Sequence, residues 1–156
     1  MAKKILVALD ESENALKSAK YVAESFTPDH EVTFFHVTLD TAAICNMNSP
    51  ELTPYFTAQQ INFCSLEDKK KELVQKAMDT AKALLIQAGF KEDKIAAKIE
   101  VRKKGIARDI LAEAQSGYNT IVMGRRGLSG VAEFFIGSVS QKVLHNAQNI
   151  SVVLAV

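Results

Sequence analysis

The chain has few of the residue types from which covalent and metal sites are commonly built. It contains two cysteines, three histidines and no tryptophan. Cys45 and Cys64 do not form a CxxC spacing, and no histidine lies at a spacing that suits a shared metal ion, so neither a zinc site nor a redox pair is indicated. We therefore expect two reduced thiols.

The chain also lacks an excess of charge of one sign, and it lacks long apolar runs. The formal net charge of +1 gives no general attraction to nucleic acid or to an anionic membrane, so neither is expected as a partner. The apolar run near the N-terminus ends at Asp10 and is too short for a signal peptide or a membrane-spanning helix. A cytoplasmic location is therefore expected.

Segments typical of strands alternate with amphipathic helical segments along the chain. Strands are predicted at residues 4–9, 31–37, 94–101, 120–123 and 150–156, and helices are predicted to begin near Ser12, Ser65, Gly105 and Ser138. The length suits one domain, residues 1–156. Parallel strands joined through helices need right-handed crossovers, which place helices on both faces of the sheet. The prediction is a doubly wound α/β fold with a five-stranded parallel sheet.

Residues 39–64 lack any helical or strand period and contain two of the three prolines. We interpret them as an irregular loop with room for one helical turn. The following helix is expected to begin at Ser65, to end at Gly89 and to bury one apolar stripe, which consists of Leu73, Ala77, Ala81, Leu84 and Ala88. The charged run at residues 68–72 is interpreted as a solvated face of this helix, and His36 and His145 as structural residues.

Four of the seven glycines lie in residues 124–140, GRRGLSGVAEFFIGSVS. Gly124 and Gly127 permit a tight turn and let backbone N–H groups approach a ligand. Gly137 and Ser138 begin the next helix, whose unpaired N–H groups and dipole favour an anion, and Ser140 adds a second hydroxyl. The pattern indicates a phosphate-binding segment, and the alternative is a glycine turn that serves only packing.

Ligands of open α/β sheets bind at the carboxyl ends of the strands, where the strand order reverses. Asp10 follows the first strand and Gly124 follows the fourth, so a strand order of 3-2-1-4-5 would bring them to one crevice, whereas a flavodoxin-like order would separate them. Asp10 could contact a ligand there, cap the first helix, or do both. The G-x-x-x-x-G-K-[ST] fingerprint is absent, and the first strand is not followed by G-x-G-x-x-G.

These residues together resemble the universal stress proteins, and specifically their ATP-binding branch. The family motif G-x2-G-x9-G-[ST] is met by Gly124, Gly127, Gly137 and Ser138. The opening ILVALDES, the segment GYNTIVMGRRGLSG and the segment FFIGSVSQKVL also resemble the family, so the resemblance covers essentially the whole chain. It implies a Rossmann-like nucleotide-binding fold with strand order 3-2-1-4-5. Glu11 departs from the pattern, because glycine is common at that position.

The resemblance also implies a set of nucleotide-binding residues. Ala8 and Val37 would lie against the adenine, and Asp10 would lie by the ribose or a bound metal. Met123 and Gly124 would flank the nucleotide, and Arg125 would either reach a phosphate or remain solvated. The residues implied to hold the phosphates are Gly127, Gly137, Ser138, Val139 and Ser140. The implied ligand is ATP, accompanied by Mg²⁺.

The last strand, ISVVLAV, has no charge or proline, so an uncovered edge there would promote aggregation. Family members commonly dimerise through this strand, and we expect a homodimer through Ile150 to Val156. The sequence leaves three functions open, namely an ATP-binding stress-response regulator read by an unidentified protein partner, a weak ATP hydrolase, and an interaction module without nucleotide. We favour the first, because the glycine motif is present and no dedicated catalytic group is evident.

Overall fold

The computed structural model describes residues 1–12, 14–48, 51, 53–125 and 136–156. Strands and helices alternate through these ranges, as the sequence predicts. Their order is β1 (Lys4–Ala8), α1 (Ala15–Ser25), β2 (Glu31–Thr38), α2 (Ala42–Cys45), α3 (Pro54–Gln87), a 3-10 turn (Glu92–Lys94), β3 (Ile95–Val101), α4 (Ile106–Ala114), β4 (Thr120–Gly124), α5 (Ser138–Asn146) and β5 (Ser151–Ala155).

The five strands are parallel and lie in the order β3-β2-β1-β4-β5. This confirms the predicted order and fold class. In the register, Ile5 of β1 lies between Val32 of β2 and Thr120 of β4. The strand order reverses between β1 and β4, so their carboxyl ends meet at the edge where ligands of such sheets bind.

The continuous apolar run of β1 reflects burial on both faces of the sheet. Ile5 and Val7 pack in a core with α1 and α3, whereas Leu6 packs in a second core with α4 and α5. Successive side chains of a strand point to opposite faces, so a strand covered on both sides needs apolar residues throughout. The strand ends that carry the site are thus anchored in two cores.

The prediction of an irregular loop over residues 39–64 is wrong from Pro54 onwards. Helix α3 begins there and not at Ser65, and α2 forms a single turn before it. Thr53 is the N-cap: its side-chain oxygen accepts a hydrogen bond from the Phe56 N–H at 3.2 Å. Proline suits the first helical position, because its missing N–H would be unpaired there in any case. One of the two prolines that suggested a loop, Pro54, is therefore a helix start signal.

The buried face of α3 matches the predicted stripe only in part. Ala81 is buried as predicted and Leu84 packs against the core. Leu73 is instead 53% exposed, and the other buried residues are Val74, Met78 and Leu85. Both stripes are apolar at helical spacing, and packing against α1 and the sheet selects one of them.

The two cysteines form a disulfide. Cys45 at the end of α2 bonds to Cys64 in α3, with their Cα atoms 5.8 Å apart. The expectation of two reduced thiols is therefore wrong for this structure. The pairing arises because α2 folds back against the first turns of α3, where the Gln60 side-chain amide also donates to the carbonyl groups of Ile44 and Met47. No local spacing reveals such a contact.

Across the described ranges, no helix has both the length and the apolar character needed to cross a bilayer.

Candidate functional site

A cleft of about 350 Å³ opens at the carboxyl ends of β1, β2 and β4. Most of the predicted site residues line it, and they come from segments far apart in the sequence. The predicted residues that line the cleft are Ala8, Asp10, Val37, Met123, Gly124, Gly137, Ser138, Val139 and Ser140. The structure therefore brings the Asp10 turn, the Gly124 strand end and the start of α5 to one place.

The remaining predicted residues are Arg125 and Gly127. Gly127, together with Arg126, lies outside the described residues. Arg125 is described but does not line the cleft. Its backbone N–H donates to the carbonyl of Ala155 at 3.1 Å, and its carbonyl accepts from the Gly137 N–H at 2.8 Å. The backbone of Arg125 thus joins the end of β4 to β5 and to the start of α5.

Asp10 organises the turn that follows β1. Its Oδ1 accepts hydrogen bonds from the backbone N–H of Ser12 at 2.9 Å and from the Ser12 hydroxyl. The N-cap position of α1 is occupied by Asn14, which makes no side-chain capping bond, so Ser12 is not the N-cap that the sequence suggested. Neither is Asp10. The Asp10 side chain instead stabilises a local turn at the cleft, of the kind that Asp and Asn side chains commonly stabilise.

The start of α5 presents backbone N–H groups to the cleft. Gly137 is the N-cap and, as a glycine, makes no side-chain capping bond to the first turn of this helix. The first N–H groups of a helix have no intrahelical acceptor, and the helix dipole makes this end electropositive. Gly137, Ser138 and Val139 all line the cleft, so this end of α5 can bind an anion there.

Ser140 has a structural partner as well as a place in the cleft wall. Its hydroxyl donates to the carbonyl of Gly124 at 2.8 Å, and the residue is buried. Because a hydroxyl has one hydrogen to donate, Ser140 in this arrangement does not offer that hydrogen to a ligand. The bond fixes α5 to the end of β4, which keeps the helix N-terminus directed at the cleft.

The β2 side of the cleft is apolar. Val37 is nearly buried, and Phe35 and Leu39 also line this side. His36 Nδ1 lies 2.8 Å from the carbonyl of Leu9, so this nitrogen is the donor and the ring ties β2 to the end of β1. This contact agrees with a structural role for His36. The opening beside Val37 suits a flat apolar group.

Helix α3 forms the third side of the cleft, and its residues were not predicted from the sequence to lie there. Glu67, Lys70 and Lys71 line it, although residues 68–72 were interpreted as solvated. Lys70 Nζ lies 3.0 Å from Oε1 of Glu67, whose side chain is only 7% exposed. The hydrogen bond that Lys70 donates to Glu67 raises the pKa of Lys70 against the opposing effect of burial, and the charges of Glu67 and Glu11 add to the rise. Lys70 is thus held as a cation at the cleft.

The sequence does contain a signal that places these three charged residues on the same side of α3. Glu67, Lys70 and Lys71 precede the buried Val74 by seven, four and three residues, so they share a helix face with it. The face can be recognised only once the buried stripe is known to be that of Val74.

The β3–α4 turn beside the cleft is held by Asp109. Burial alone would raise the pKa of this carboxyl, but hydrogen bonds from the backbone N–H groups of Lys103 at 2.7 Å and Lys104 at 3.1 Å hold the pKa below its ordinary value. The turn leads into α4, from which Ile106 and Ile110 line the cleft. Asp109 therefore positions part of the apolar side.

The charges on the described lining residues are mixed. The carboxylates of Asp10, Glu11 and Glu67 face the cleft, together with the ammonium groups of Lys70 and Lys71. Within the described ranges, no group of three or more His, Cys, Asp and Glu residues is arranged to hold a metal ion by itself. A Mg²⁺ ion bound largely through ligand phosphates and water, with one or two carboxylates, would suit this residue set.

The chain is similar along nearly its whole length to known proteins. The model of the universal stress protein family matches residues 1–154. The universal stress protein YxiE of Bacillus subtilis is 33% identical over 147 residues, which cover 92% of this chain and 92% of that protein.

Solved structures share the fold. The structure of the hypothetical protein MJ0577 has a TM-score of 0.70 and 27% identity, with 99% of this chain and 96% of that chain covered. A universal stress protein solved in complex with cAMP has a TM-score of 0.61 and 17% identity, with the same coverage. In that second protein the bound ligand is a nucleotide.

Proposed function

This chain belongs to the universal stress protein family, and we propose that it is an ATP-binding stress-response regulator. The observation that carries the proposal is the convergence of three elements at one cleft: the Asp10 turn, the end of β4 at Gly124, and the N-terminus of α5. A nucleotide combines a flat apolar base, a ribose and a polyanion. The cleft offers an apolar side, a carboxylate and an electropositive helix end in one cavity.

In this proposal the adenine lies against Ala8 and Val37, near the end of β2. Phe35 and Leu39 extend the same apolar side. Asp10 lies by the ribose or by a bound Mg²⁺, since a carboxylate oxygen accepts from hydroxyl groups and coordinates hard cations. Met123 and Gly124 flank the nucleotide from the neighbouring strand.

The phosphates lie at the start of α5 in this proposal. Backbone N–H groups at Ser138 and Val139 donate to them, and the helix dipole favours their charge. Gly137 adjoins the phosphates and starts the helix, while its own N–H donates to the carbonyl of Arg125. Gly127 also lies at the phosphates in this proposal, because it belongs to the glycine motif. Ser140 acts differently from the sequence-based expectation, because its hydroxyl hydrogen is donated to Gly124 and keeps the helix end in place.

Lys70 and Lys71 supply positive charge to the polyphosphate from the α3 side. The hydrogen bond to Glu67 raises the pKa of Lys70, which favours the charged form of the side chain further. Because Asp10, Glu11 and Glu67 are also present, a triphosphate entering alone would meet three carboxylates. Its charge is better matched when Mg²⁺ enters with it, and the proposed ligand is therefore Mg-ATP.

The proposed mode of action is regulatory and not catalytic. ATP occupancy stabilises one arrangement of the cleft walls, and a protein partner recognises that arrangement. We also propose that two copies pair through β5, because Val152, Val153 and Leu154 are only partly buried in the single chain. The proposed location is the cytoplasm.

Native mass spectrometry of the freshly purified chain, followed by calorimetric titration with Mg-ATP, tests the proposal. We expect a dimer that retains ATP or binds it when added, and we expect Gly127→Val to abolish binding while the chain stays folded by circular dichroism. ADP measured over time decides between regulator and hydrolase, and steady accumulation would favour the hydrolase. A chain that carries no nucleotide and gives no heat with Mg-ATP would overturn the proposal.

A further inference from the structure

The Cys45–Cys64 disulfide joins two segments that each continue into the cleft wall. Thr38 and Leu39 line the cleft and lie shortly before Cys45. Glu67 and Lys70 line it from α3 and lie shortly after Cys64. The bond therefore closes a loop whose two ends both adjoin the cleft.

The start of α3 has little packing of its own. In residues 54–66, all of which the structure describes, no residue is buried, and burial begins at Glu67. Helix α2, to which this start is bonded, also has no buried residue. Short helical segments without a buried face are only marginally stable in water. The disulfide, reinforced by the hydrogen bonds from Gln60, thus contributes much of what holds these turns in place.

The bond is accessible to exchange. Cys45 and Cys64 are each only partly buried, so a thiol can approach their sulfur atoms. The chain contains no further cysteine, so neither sulfur can exchange with another within the same chain. In a reducing compartment such as the proposed cytoplasm, disulfides are usually transient or redox-sensing and not permanent.

We propose that Cys45 and Cys64 are a site of reversible thiol–disulfide exchange, whose disulfide form holds α2 and the start of α3 together between two segments that line the cleft. The substrate class is a dithiol, either a small molecule or the active dithiol of a protein. One thiolate of the reductant attacks a sulfur of the pair, and the other sulfur leaves as a thiolate and takes a proton. The second reductant thiolate then attacks the reductant sulfur of the mixed disulfide, and the second cysteine sulfur leaves as a thiolate and takes a proton. The chain thus gains two thiols, and the reductant becomes a disulfide.

Reduction has a local consequence in this proposal. The turns from Pro54 to Cys64 lose the covalent link and open more often, because their own burial does not hold them. The later turns, from Val74 to Leu85, remain packed in the core with α1. The two halves of one helix therefore respond differently to the same reagent.

Hydrogen exchange followed by mass spectrometry on the whole chain, with and without dithiothreitol and without denaturant, tests the proposal. We expect dithiothreitol to yield two alkylatable thiols and to speed exchange in residues 54–64 by about tenfold or more. Residues 74–85 serve as the internal control and should not change. Oxidised dithiothreitol, once the reductant is removed, should restore slow exchange.

The variant Cys45→Ser should reproduce the fast exchange without any reductant, and Ser65→Ala, next to Cys64 in α3, is the control that leaves the disulfide intact. If Cys45→Ser does not fold, the comparison of oxidised and reduced wild-type chain decides alone. A bond that resists dithiothreitol until urea is added would overturn the exchange site. Equal exchange of residues 54–64 in both states would overturn its structural effect. The measurement uses no nucleotide, so its outcome is separate from that of the ATP test.

Discussion

The cleft has two polar sides that are built in different ways. On the β4–α5 side, the groups that face the cleft are mostly backbone N–H groups at a glycine-started helix. On the α3 side, they are long charged side chains, with Lys70 bonded to the buried Glu67. The first side is fixed by local geometry. The second depends on where a long helix packs, so side-chain substitutions should affect the two sides unequally.

The largest expected effect of a side-chain substitution is on the α3 side. Lys70→Met should weaken Mg-ATP binding by about ten- to hundredfold, because a hydrogen bond to a charged group is worth about 1.5–3 kcal/mol. Binding of adenosine, which has no phosphate, should not change. Calorimetric titration with both ligands measures the difference. Lys69→Met is the matched control, because Lys69 lies on the same helix, is exposed and does not line the cleft.

Glu67→Gln tests the same side of the cleft, and its expected effect on Mg-ATP affinity is opposite to that of Lys70→Met. It removes a negative charge from the cleft and releases Lys70 from its partner, so Mg-ATP binding should be unchanged or tighter in the same titration. If Lys70→Met binds Mg-ATP as the wild-type chain does, the α3 side has no part in phosphate binding. ATP binding through the β4–α5 side would be unaffected by that result.

A smaller effect is expected on stability at acid pH, through Asp109. Its folded-state pKa is lowered, so it stabilises the fold above the ordinary aspartate pKa, and this contribution is lost as the pH falls through the lowered value. Asp109→Asn should reduce the free energy of unfolding by about 1–2 kcal/mol at neutral pH. Urea unfolding at neutral pH and near pH 3 measures it. The difference between variant and wild type should shrink at the lower pH, and a constant difference would contradict the assigned cause.

The smallest effect is expected from Ser140→Ala on the β4–α5 side. Loss of the hydrogen bond to the Gly124 carbonyl should lower the free energy of unfolding by about 1 kcal/mol, measured by urea unfolding. Mg-ATP affinity should change less than about threefold, since the hydroxyl hydrogen is already donated to the protein. A large loss of affinity without loss of stability would show that Ser140 binds the phosphates directly.

The strands and α5 were predictable because their signals are local. The apolar runs of β1 and β4 predict burial on both faces, and α5 begins as predicted, at Ser138. The order of the strands was also predicted, and it places Asp10 and Gly124 at one edge. Most predicted site residues line the cleft for this reason, although their contact with a nucleotide remains a prediction.

The α2–α3 region was not predictable in the same way. Thr53 and Pro54 are a helix start signal, but they lie in a segment whose apolar residues are mostly exposed and show no period. The disulfide partner of Cys45 and the cleft position of Lys70 both follow from the packing of this helix.

The sequence by itself determined the alternation of strands and helices, the fold class and the glycine segment with its helix start, because apolar period and backbone freedom act between neighbouring residues. Only the tertiary structure decided which stripe of α3 is buried, that Cys45 meets Cys64, and that Glu67 and Lys70 face the cleft. These outcomes depend on which of two similar apolar faces of α3 packs against α1 and the sheet. That choice is settled by packing across the whole chain and leaves no local signal.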